Sequence, residues 1–133
     1  MYKRIVIPAL LVSGLLIGSV FGQMLTYNEA RVLALKDENS SPKEYVDKLV
    51  TFYFDFARKV MPGCAQGVDN VETALVSVVS RIDSEGNILH TWNIGHETMT
   101  TCFLESFTKQ TLPPPPYQPY YTIVDLRGDP KKL

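Results

Sequence analysis

The chain is poor in the material of most active sites. It has 133 residues, with two cysteines, two histidines and one tryptophan. The histidines, His90 and His96, lie six residues apart with Glu97 beside them, which is not a metal-ligand spacing that recurs in known sites. They read better as a strand side chain and a residue near a helix start. A nucleophilic Cys102 would need a free thiolate and a base, and a disulfide would remove it. The sequence therefore points to no catalytic residue, no metal and no cofactor. An excess of positive charge is also missing: 13 Lys and Arg face 14 Asp and Glu, for a net charge of −1. Nucleic-acid binding, which wants a basic face, has no support. There is no internal repeat, and no low-complexity tract except the prolines at 113–116.

What is present begins with an export pattern. Met1-Tyr2-Lys3-Arg4 is a short positive start, Ile5 to Phe21 carries no charge, and Val20 and Gly22 suit the −3 and −1 positions of a peptidase site. Residues 1–22 are read as a cleavable signal, leaving a periplasmic or secreted protein. The alternative is retention of residues 5–25 as a membrane anchor, since a span needs about 20 apolar residues. No cysteine lies near residue 22, which argues against a lipid anchor. Cleavage removes Lys3 and Arg4 and no acid, taking the net charge from −1 to −3. About 110 residues remain, enough for one domain with a modest core. In an oxidising compartment Cys64 and Cys102 read as a disulfide; the alternative is two free buried thiols.

Residues 23–40 suggest a short helix or a loosely ordered arm, broken by Asp37-Glu38-Asn39-Ser40. Ser41-Pro42-Lys43-Glu44 looks like a capped helix start. Tyr45, Leu49, Phe52, Phe56 and Val60 follow at helical spacing, and Pro62-Gly63 should end the helix. Residues 72–83 and 88–94 alternate as strands about the turn Ser84-Glu85-Gly86-Asn87, making a hairpin. Trp92 is expected on one face with Ile88 and Ile94, in the core. Residues 96–110 read as a second helix, with Met99, Cys102, Phe103 and Phe107 in one stripe. The prolines stop it, and Tyr120 to Leu126 is a third strand. The expected fold is α+β: a three-stranded antiparallel sheet packed on one face by two helices over 41–128, with one disulfide. A frayed tail at 129–133 completes the chain.

From Cys64 to Leu126 this pattern resembles the C-terminal domain of the TonB and TolA energy-transducer families. The resemblance is carried by Arg81-Ile82-Asp83 at a strand end and by the turn Glu85-Gly86-Asn87. A cysteine-bearing helix, Leu112 with Pro113–Pro116, and a closing strand follow. The sequence departs from the families in its spacer, about 40 residues from Gly22 to Cys64, and in having Leu112 where an aromatic is usual. The resemblance implies a non-enzymatic adaptor linked to envelope transport. It would hold a periplasmic or outer-membrane protein by strand addition to the edge Tyr121–Leu126. Tyr117, Tyr120, Tyr121, Ile123 and Asp125 would form the partner surface; packing of the proline bend, or an edge protected by Asp125 and Arg127, are the alternatives. A different class of reading is an inhibitor or immunity-type protein that blocks an exported enzyme through Pro113–Tyr121 or Ser84–Asn87.

Overall fold

A computed structural model describes residues 25–128. The expected signal at 1–22 and tail at 129–133 lie outside the described residues. Helix α1 spans Tyr27–Asn39 and α2 spans Lys43–Cys64; a 3-10 turn at Val71–Thr73 leads into β1, Leu75–Ile82. Strand β2 is Ile88–Gly95, α3 is Glu97–Phe107 and β3 is Tyr120–Arg127. The sheet is antiparallel in the order β2-β1-β3. The fold is α+β with one disulfide, Cys64–Cys102, whose Cα atoms are 5.5 Å apart.

Strand residues alternate between faces, so β1 sends Val76, Val78 and Ile82 to one side and Val79 to the other. The first side meets α2 and α3. Leu49, Phe56, Met61, Phe103, Phe107, Leu112 and Tyr120 form its core with the strand residues. Aromatic rings dominate it: Phe103 sits 4.9 Å from Phe107 and 5.4 Å from Phe56, centroid to centroid. The disulfide joins the end of α2 to α3 on this covered side.

The other side is covered as well. Ala30 and Ala34 of α1, both fully buried, pack against Val79 and Tyr121, with Trp92 and Ile123 at the margin. The sheet is therefore enclosed by helices on both faces. Residues 27–39 form a full helix rather than a loose arm. Its start is a reciprocal cap: the Thr26 hydroxyl accepts from the Glu29 N–H at 3.2 Å, and the Glu29 carboxylate accepts from the Thr26 N–H at 3.0 Å. Asp37 and Glu38 continue the helix instead of breaking it, because their carboxylates find donors on β3.

Three local expectations are corrected. Ser41 is not the cap of α2; that position is Pro42, without a side-chain bond. The Ser41 hydroxyl instead donates to the Asp37 carbonyl at 2.7 Å and pairs with the Tyr120 hydroxyl at 2.7 Å. Pro62 lies inside α2, which runs on to Cys64; so near the helix end, proline removes one of the last ladder bonds without stopping the helix. Ile88 does not share the face of Trp92. The register shifts between Arg81 and Ile82, leaving Leu89 unpaired, so Ile88 turns to the α2–α3 core while Trp92 stays on the α1 side.

The hairpin turn is fastened from two directions. The Asp83 carboxylate accepts the N–H groups of Glu85 and Asn87, each at 2.9 Å. Those bonds, Asn87's first, hold its pKa below the usual carboxylate range. Gly86 has φ +92° and packs so closely that a Cβ would lie 1.9 Å from the Leu112 carbonyl oxygen. Only glycine meets both demands, and this contact seats the proline segment against the hairpin.

Candidate functional site

The chemistry left over after folding is concentrated at the two edges of the sheet. On β3, the edge N–H of Tyr121 donates to Asp37 Oδ2 at 2.9 Å, and that of Ile123 donates to Glu38 Oε2 at 3.0 Å. The same Glu38 oxygen accepts from the Thr122 hydroxyl at 2.6 Å. Thr122 in turn takes the Tyr53 hydroxyl of α2 at 2.8 Å. Further along, Asp125 accepts from the Ser77 hydroxyl and pairs with Arg31 at 3.3 Å. Helix α1 thus supplies acceptors where a neighbouring strand would supply carbonyls.

Glu38 is the least comfortable member of this clamp. Burial pushes its carboxyl pKa up, against the hydrogen bonds from Thr122 and Ile123, and nearby Asp125 and Asp37 add to the rise. A raised folded-state pKa contributes stability below the ordinary glutamate value and loses it as pH rises through the folded one. Glu38→Gln retains an acceptor for Ile123 and should flatten this part of the stability profile. Glu38→Ala strands both donors and should cost about 1–3 kcal/mol. Denaturant unfolding of the two variants across that pH range checks the contrast.

The residues expected to form a partner surface are distributed differently. Tyr120 is fully buried, with its ring edge-on to Tyr45 at 5.5 Å. Burial pushes its phenol up to about 12. Tyr121 is buried beneath α1. Neither belongs to an exposed aromatic surface: alternation along β3 sends one to each core. Tyr117 is exposed at 39%, and its hydroxyl donates to Asp37 Oδ1 at 2.9 Å. Ile123 and Asp125 occupy the β3 edge, where Glu38 and Arg31 already engage them. Strand addition at Tyr121–Leu126 would have to displace α1. The acceptors Asp37 and Glu38 went unrecognised in the sequence; the Thr26–Glu29 capping box was the available signal for their helix.

The opposite edge is different. Because Tyr121 and Ile123 turn their N–H groups outward, their β1 partners Arg81 and Val79 turn toward β2 and pair there with His90 and Trp92. The His96 N–H donating to the Leu75 carbonyl at 2.7 Å fits the same parity. Thr91 and Asn93 therefore point their N–H and C=O groups away from the sheet. Among the described residues these groups have no hydrogen-bond partner. Leu89 and Ile94 flank them, 53% and 45% exposed. Strand β2 has no Lys, Arg, Asp or Glu, so it lacks the charges that usually guard an edge. The Leu89 bulge guards one end only.

The histidines do not come together into a site. His90 stacks edge-on against Trp92 at 4.3 Å, whose Nε1–H donates to the Leu25 carbonyl at 2.9 Å. His96 caps α3, its Nδ1 accepting from the Met99 N–H at 3.3 Å. Cys102 is held in the disulfide. Among the described residues no group of three or more His, Cys, Asp or Glu is placed to hold a metal, and no helix is long and apolar enough to cross a membrane. No protein-family model matches the chain, and no curated protein matches it.

Proposed function

We propose that this protein is a non-enzymatic protein-binding module of the cell envelope, which takes up an extended segment of another chain along β2. The observation that carries the reading is the asymmetry of the sheet: the β3 edge is capped by Asp37 and Glu38, and the β2 edge offers unpaired backbone groups at Thr91 and Asn93. Main-chain hydrogen bonds supply affinity in such recognition, and alternate side chains supply selectivity. An added strand would meet Trp92, His90 and Ile94 on one face and Thr91 and Asn93 on the other. The disulfide and the export pattern at residues 1–22 support an oxidising compartment. The element order and the cysteine-bearing helix support likeness to the TonB and TolA C-terminal domains. The partner edge proposed is β2 rather than the last strand.

A photo-crosslinking residue at Leu89, in protein expressed from Met1 and processed by the cell, tests this. Adducts should form and should vanish when Thr91→Pro removes an outward N–H, while Thr91→Val, which keeps it, preserves them. Adducts indifferent to Thr91→Pro, or none at all, would overturn the reading.

A further inference from the structure

The geometry points to a second copy of this chain as the occupant of the β2 edge, pairing antiparallel with it about a two-fold axis at Trp92. This inference rests on the strand-addition reading above and specifies its partner.

Parity supports it first. In an antiparallel pair, outward-facing residues must meet outward-facing residues. A two-fold axis at Trp92 places Thr91 opposite the second copy's Asn93, and Asn93 opposite its Thr91. Both are outward-facing by the β1–β2 register. Each of these two pairs can exchange two N–H···O=C bonds, which uses all four unpaired groups of each copy. The overlap runs from Leu89 to Gly95 and leaves the bulge at its margin.

The side chains agree with that register. On the α1 face, Trp92 meets the second copy's Trp92 as a non-hydrogen-bonded pair, the closer kind, and Ile94 meets His90. On the other face Thr91 meets Asn93. Exposed Ile94 and Leu89 gain cover on either side of the axis. A strand with no Lys, Arg, Asp or Glu can pair with itself without like-charge repulsion. A charged partner segment would instead have to desolvate its charges beside Trp92 and Ile94.

Closure supports it most strongly. Among the described residues, each chain has one open edge and one edge whose N–H groups are held by Asp37 and Glu38. Pairing through β2 then makes a six-stranded sheet whose two outer edges are both β3 and both capped. Such an interface is isologous and finite, so assembly stops at two copies. The α1 clamp thereby limits the assembly's size.

Sedimentation velocity of the protein expressed from Met1 and processed by the cell, over a wide dilution series, is the test. A monomer–dimer equilibrium is expected. Thr91→Pro should weaken it at least about tenfold, since two inter-copy hydrogen bonds are lost, and Thr91→Val should leave it near the wild-type value. Proline is tolerated where an edge N–H faces solvent, and an unchanged circular dichroism spectrum would show that the Thr91→Pro fold is intact. If that variant fails to fold, the amides of Thr91 and Asn93 in the wild type, followed by NMR against concentration, serve instead: they should shift and become protected as the dimer forms. A monomer at every concentration, or a dimer indifferent to Thr91→Pro with unmoved edge amides, overturns the proposal. The crosslinking experiment separates the two levels. A Leu89 adduct with a different protein, lost in Thr91→Pro, would overturn the second copy while retaining strand addition. An adduct of twice the chain's mass is the expected result.

Discussion

Replacing Cys64 and Cys102 together by serine is expected to remove about 4 kcal/mol of stability, read as a lower denaturant midpoint with the native fold retained in water. The bond closes a loop of 38 residues, and chain entropy alone assigns a loop of that length about this value. It also joins the end of α2 to α3, two helices that share the aromatic core but have no connection near one another in sequence. Without the bond, α3 is still held by its buried face, chiefly Met99, Phe103 and Phe107. A wild-type midpoint in the double variant would show that the aromatic packing already determines the geometry and the bond adds nothing.

Phe103→Ala is the second large effect, expected at about 3–5 kcal/mol. Phe103 is 1% exposed and packs between Phe56 and Phe107. No neighbour there is free to fill the space: Phe107 is fully buried, and Cys102 is fixed by its bond to Cys64. The loss should therefore include a cavity contribution as well as lost transfer energy. Denaturant melts with an unchanged slope would place the effect in the native core. A loss below about 1 kcal/mol would mean that the core collapses around the deletion. Phe103→Leu, which preserves much of the volume, should recover most of the stability.

Much of this architecture is visible in the residues themselves. Tyr45, Leu49, Phe56 and their neighbours repeat at helical spacing because α2 buries one wide stripe. Residues 75–82 and 120–127 are legible as strands from their β-branched and aromatic content, and β1 is buried almost throughout because helices cover both faces of the sheet. The cysteine pairing is legible from the even count of two in a chain that carries an export pattern. Helix α1 is harder to read because it packs through two alanines, which approach the sheet closely without leaving a broad apolar stripe. Its other hold on the sheet is polar. Asp37 and Glu38 resemble a solvated helix stop until β3, more than eighty residues later, supplies the donors. The Leu89 bulge is equally hidden: one extra residue leaves the local alternation plausible and reverses only Ile88.

The same long-range dependence explains why the residues expected to face a partner on β3 are covered. The likeness to the TonB and TolA domains implies that β3 is a free edge. Whether an edge is open depends on what lies beside it, and here that is a helix from the other end of the chain. Tyr120 and Tyr121 looked available among the prolines, yet the alternation that makes them a strand also sends them into opposite cores. Strand β2 reads as an ordinary hairpin arm because nothing in its eight residues shows that, among the described residues, its outer side has no neighbour.

Among the described residues, one sheet edge is closed by carboxylates and the other is open. Amide hydrogen exchange in dilute protein, resolved by NMR at Tyr121, Ile123, Thr91 and Asn93, tests it directly. Slow exchange is expected at Tyr121 and Ile123, accelerated at Ile123 by Glu38→Ala, and fast exchange at Thr91 and Asn93 until concentration brings copies together. Tyr121 and Ile123 exchanging as fast as Thr91 and Asn93 would contradict it.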